Sequence, residues 1–95
     1  AGRTAEAQRG FEALAAAHPD LPGPQANLGL IHRRAGRLDA AIAALERAAQ
    51  AAPAQATIHN ELGIAYRSAG RFADARTAYE RAIALDAQHA DAHLN

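Results

Sequence analysis

The stretch AGRLDAAIAALERA, Ala35 to Ala48, returns as AGRFADARTAYERA from Ala69 to Ala82, and a third version, AGRTAEAQRGFEAL, opens the chain at Ala1. Gly2, Gly36 and Gly70 stand 34 residues apart, and so do Ala7, Ala41 and Ala75, then Phe11, Leu45 and Tyr79, then Glu12, Glu46 and Glu80. Between the copies lies a second shared phrase, NLGLIHRRAG at Asn27 to Gly36 and ELGIAYRSAG at Glu61 to Gly70, again displaced by 34. A fixed period held by independent positions marks a chain assembled from one repeated supersecondary unit, here in two halves.

Each half has the spacing of a helix. Leu38, Ala41, Ile42, Leu45, Ala48, Ala49 and Ala52 recur at three- and four-residue intervals, as do Ile58, Leu62, Ala65, Tyr66 and Ala69, which puts apolar groups on one helical face. Alanine, glutamate and arginine fill the remaining positions and all favour helix. Gly36 and Gly70 suit left-handed helix caps, Pro19 and Pro53 end the helices before them, and Pro22 and Pro24 suit the entry to a new one. Gly10 is predicted to sit mid-helix, with no packing reason legible in the sequence.

Composition narrows the function classes. Hydrophobic residues make up 49% of the 95, yet aromatics only 4%, so helices must pack closely on alanine in place of bulky rings. Ten cations, all arginine, balance ten acids, which speaks against binding nucleic acid or a membrane surface through bulk charge. The lack of lysine fits GC-rich coding and carries no mechanism. Without cysteine there is neither a disulfide framework nor a redox motif, so the compartment stays open between cytoplasm and periplasm. No apolar run has the length of a membrane span or a signal peptide.

The 34-residue helix-turn-helix unit resembles the tetratricopeptide repeat. The residues that carry the resemblance are Leu28-Gly29 and Leu62-Gly63 in the first helix, the aromatic Tyr66, the small Ala41 and Ala75, the large Leu45 and Tyr79, then Ala48, Ala82 and Pro53. Gln25, His59 and His93 stand where the family has a large apolar group, His32 replaces an aromatic, and Ala87 replaces the proline. The resemblance implies an all-α fold, a right-handed superhelical solenoid of antiparallel helix pairs. Gly29 and Gly63 are expected to meet the small Ala41 and Ala75 where the paired helices approach. On this register the chain divides into a lone second helix within 1–21, complete units at 22–55 and 56–89, and the start of a further first helix at 90–95. Both ends then cut through repeats, which predicts a segment of a longer array, with end-to-end association of the isolated piece.

In such arrays the first helices line a concave groove that holds a peptide or a partner helix. The resemblance places Ala26, Asn27, Leu30, Arg33 and Arg34 on that groove, followed by Thr57, Asn60, Glu61, Ile64, Arg67 and Ser68, with Asp91, Leu94 and Asn95 beginning a third set. Arg33, Arg34 and Arg67, extended by Arg37 and Arg71, can form a basic edge for carboxylates, although cations in a last helical turn also simply complement the helix dipole. Leu30 and Ile64 can anchor an apolar ligand group or pack between adjacent first helices. Asn27 and Asn95 occupy equivalent positions suited to a ligand backbone, and Glu61 interrupts that series. An acid there also opposes a clamp for C-terminal carboxylates.

His89 and His93 are four residues apart, with Asp91 between them, but lack a convincing third ligand, so surface histidines explain them better than a metal site. The only serine is Ser68, on the same predicted helix as Glu61, and no phosphate loop or nucleophile motif is present, so no catalysis and no cofactor are expected. The expected role is a non-catalytic scaffold for a protein or peptide partner. The alternatives are a recruiting region of a larger glycosyltransferase- or sulfotransferase-like enzyme, or of an envelope or secretion assembly. An RNA-binding repeat is less well supported, since the groove carries Glu61 and Asp91 and no aromatic platform.

Overall fold

The apolar periodicity folds as five helices, α1 (Gly2–Ala17), α2 (Pro22–Arg34), α3 (Leu38–Ala51), α4 (Ala56–Ser68) and α5 (Phe72–Leu94), with no strand among the described residues. This computed structural model describes the backbone of residues 2–18 and 20–94 and the side chains of residues 5–18 and 20–87. Pro22 begins α2, where its missing N–H costs nothing, and Pro53 lies just beyond the end of α3. Pro19, expected to stop α1, falls outside the described residues.

The turns after α2 and α4 are built alike. Gly36 and Gly70 take positive φ of 81° and 78°, a conformation open to glycine at no steric cost. Gly36 N–H donates to the Arg33 carbonyl (3.0 Å) and Arg37 N–H to the His32 carbonyl (2.8 Å), with Gly70, Arg67, Arg71 and Tyr66 repeating the pattern at the same distances. This double closure satisfies carbonyls that a helix end otherwise leaves open and folds the next helix back on the last. The result is a layered row in which each helix packs mainly on its sequence neighbours, extending 46 × 29 × 20 Å.

The main core joins Ile42 and Leu45 of α3, Leu62, Ala65 and Tyr66 of α4, and Ala75 and Ala78 of α5. A smaller cluster of Ala15, Leu28 and Ala44, with Phe11 against it, ties α1 to the rest. Gly29 and Gly63 do allow close approach, and the side chain nearest to each belongs to a large residue of the next helix. A Cβ at Gly29 would collide with the Leu45 side chain, and one at Gly63 would lie 2.7 Å from the Tyr79 ring. The second helix seats Leu45 or Tyr79 over the glycine of the first, and the large side chain fills the space that the missing one leaves. Ala41 and Ala75 are also buried.

Helix α5 continues without a break after His89 through Leu94. Ala87 explains this: it sits 34 residues after Pro53, and alanine continues a helix where proline stops one.

Candidate partner-binding groove

The last turns of α2 and α4 carry most of the charged groups expected at the site. The cap geometry brings the residue after each glycine, Arg37 or Arg71, back over the residue five positions earlier, His32 or Tyr66. At the second turn the Arg71 guanidinium lies 4.7 Å from the centre of the Tyr66 ring and its Nε donates to Asp74 (2.9 Å), while the Tyr66 hydroxyl donates to Glu46 of α3 (2.7 Å). Burial, then the bond to the Glu46 carboxylate, pushes the Tyr66 phenol up to about 12. At the first turn Arg37 Nε donates to Nδ1 of the half-buried His32 (3.0 Å) and its Nη2 to Gln8 of α1 (2.7 Å). Burial and the adjacent Arg37 cation hold His32 below the ordinary histidine value, against a weaker pull from Glu12.

The basic edge is therefore smaller than five arginines. Arg33 pairs with Glu61 (3.1 Å), a bond from α2 to α4 that spans adjacent units, so Glu61 does not merely interrupt the asparagine series. Arg37 and Arg71 are engaged in their turns, and among the described residues Arg34 and Arg67 remain exposed without an ion pair. Asn27 turns its amide N–H back to the Gly23 carbonyl (3.0 Å), which leaves Oδ1 as an acceptor.

Three of the expected groove residues converge. Asn27, Leu30 and Arg34 line a cleft of about 540 Å³ with Ile31 and Ala35 of the same segment and Ala7 and Phe11 of α1. Its floor is apolar, and one amide and one guanidinium stand at its edge. Asn60 lies apart, in a cleft of about 390 Å³ between α4 and α5 that Tyr79, Ile83 and Asp86 also line. Ile64 and Arg67 border neither cleft, although Ile64 is half-buried. The side chains of Asn95, Asp91, Leu94, His89 and His93 lie outside the described residues.

Ala7, Phe11 and Ile31 were not among the expected site residues. Their signal lies in the repeat itself, because Phe11 holds the register of Leu45 and Tyr79, each covered by a glycine-bearing helix. Phe11 instead faces the cleft. Among the described residues no cluster of histidine and carboxylate can hold a metal, and no helix is long and apolar enough to cross a membrane.

The family model for the tetratricopeptide repeat matches residues 20–88, most of the chain. The chain belongs to the tetratricopeptide repeat family. Solved structures agree in fold: a crystal structure of MamA superposes over 94% of this chain with a TM-score of 0.87 at 21% identity. The MamA structures designated MSR-1 and AMB-1 superpose over 83% and 80% of it, with TM-scores of 0.78 and 0.76 at 24% and 26% identity. The chain spans 52%, 45% and 42% of those three MamA chains, about half or less of each. No curated protein sequence matches it significantly. Tetratricopeptide repeats bind protein partners, so this fold is that of an interaction module.

Proposed function

We propose that this tetratricopeptide segment is a non-catalytic module that holds a segment of another protein, with the cleft between α1 and α2 as its main contact. The observation that carries the reading is the makeup of that cleft, an apolar floor of Ala7, Phe11, Leu30 and Ile31 edged by Asn27 and the exposed Arg34. Such a surface favours a ligand with one or two large apolar side chains and a carboxylate, the acid meeting Arg34 and the apolar groups displacing water from Phe11 and Leu30. The pairing of Arg33 with Glu61 lowers the density of unpaired cations along the inner face, which disfavours an RNA backbone as ligand.

Selection of a displayed random-peptide library on the whole chain tests this. Enriched peptides should combine apolar and acidic residues, and their binding should weaken with added salt. Leu30→Asp should abolish capture and Arg34→Gln should weaken it, with helicity unchanged by circular dichroism. If the enriched peptides bind Leu30→Asp as well as the parent chain, the cleft is not the contact.

A further inference from the structure

We infer that His32 is a proton-sensitive latch for α1: neutral, it accepts the Arg37 Nε–H and so holds the guanidinium where its other arm reaches Gln8, and protonation releases that arm. The hydrogen-bond geometry is what supports it. The bond from Arg37 Nε to His32 Nδ1 is 3.0 Å, and it exists only while Nδ1 keeps its lone pair. The Arg37 Nη2 bond to Gln8 is 2.7 Å, and Gln8 Nε2 in turn donates to Glu12 at 2.9 Å, so a single chain of side chains links the end of α2 to two successive turns of α1.

Two further observations give the chain weight. Among the described helices α1 packs chiefly against α2, over a small cluster of Ala15, Leu28 and Ala44, so the side-chain chain spans its main joint. The corresponding joint 34 residues later lacks the proton-sensitive element: Tyr66 replaces His32, Arg71 stacks on its ring, and its hydroxyl bonds Glu46, the counterpart of Glu12. One joint of the row responds to acid and its copy does not.

The groups that act on His32 are Arg37 from the turn and Glu12 from α1, while the acid that α4 sends to α2, Glu61, is paired with Arg33. On protonation Arg37 and the imidazolium repel at hydrogen-bond distance, and Glu12 offsets part of that. Because the folded state holds His32 below the ordinary 6.5, the unfolded or undocked chain binds the proton more readily. The contribution of the latch is therefore full above that value and is lost as pH falls below it. Ala7 and Phe11 of α1 form one wall of the cleft, so acid would also dismantle the ligand site, a consequence that rests on the binding role proposed above.

Hydrogen exchange of the whole chain, corrected for intrinsic rates, tests the latch without a ligand. Protection of the α1 amides from Ala5 to Leu14 should fall several-fold between about pH 7.5 and about pH 5.5, with α4 and α5 unchanged. H32Y, which copies the second joint, should remove that dependence, whereas a response due to His18 at the end of α1 would persist in it. As a reading independent of the variant's folding, the His32 ring followed by NMR should titrate below 6.5 in the parent chain. The latch is refuted if α1 protection is flat with pH, if H32Y keeps the parent's response, or if His32 titrates at or above the ordinary value.

Discussion

Glycine carries opposite consequences at different places in this chain. Gly63 lies under the Tyr79 ring and Gly29 under Leu45, with no room for a methyl group. Gly63→Ala should therefore lower the unfolding free energy by about 1–3 kcal/mol, because neither the ring nor the backbone beneath it can yield cheaply. Gly10 is exposed in mid-helix with nothing near its missing side chain. Gly10→Ala should raise stability by about 1 kcal/mol through helix propensity alone. Urea unfolding of the two variants beside the parent reads both signs in one experiment. Equal effects, or an unchanged Gly63→Ala, would mean that the close approach at Tyr79 is not kept in solution.

Helix ends obey equally local rules, and α5 lacks one of the residues that enforce them. Pro53 lies just past the end of α3, whereas Ala87 lets α5 run to Leu94. Ala87→Pro should end α5 near Leu85 and remove the helical signal of the last turns, measurable as reduced ellipticity at 222 nm and loss of helical amide contacts beyond residue 87 by NMR. The α4 cap offers a second test. Tyr66 is an acid whose folded value, about 12, lies above its ordinary 10.0, so it stabilises the fold while protonated and loses that contribution as pH rises from 10 toward 12. The tyrosinate absorbance that disappears on Tyr66→Phe should be the portion that rises toward about 12. A missing portion centred on the ordinary tyrosine value would show that neither the burial of the ring nor its bond to Glu46 persists.

Because each helix touches chiefly its neighbours, the stability of the whole row is close to a sum of units and interfaces. The α1 interface rests on fewer buried residues than the joints among α3, α4 and α5, so α1 should open first on heating, and hydrogen exchange should rank it least protected. The outer surface also carries solvent-exposed apolar groups, Leu14 at 48%, Phe72 at 68% and Ile83 at 68%. Ile83 lines the cleft between α4 and α5, at the opposite end of the row from the α1 cleft. We expect concentration-dependent end-to-end association, visible by sedimentation from micromolar to millimolar, and weakened by Ile83→Glu. A monomer throughout that range would show that these faces are satisfied within one chain.

The sequence by itself determined the period, the five helices and the capping glycines. These depend on interactions within a few residues, namely apolar spacing, the φ freedom of Gly36 and Gly70, and the missing N–H of Pro22. The resemblance to the family placed Asn27, Leu30 and Arg34 on the groove, and these three line one cleft. Tertiary structure decided the rest. Which residue covers Gly29 depends on how α3 lies across α2, and period alone could not choose between Ala41 and Leu45. The pairing of Arg33 with Glu61 and of Arg37 with His32 and Gln8 required knowing how neighbouring helices lie and where a capped turn delivers its side chain. Phe11 became a cleft wall for the same reason: its letter matches Leu45 and Tyr79, but what covers a side chain is a property of the packed neighbour, which one-dimensional spacing does not contain.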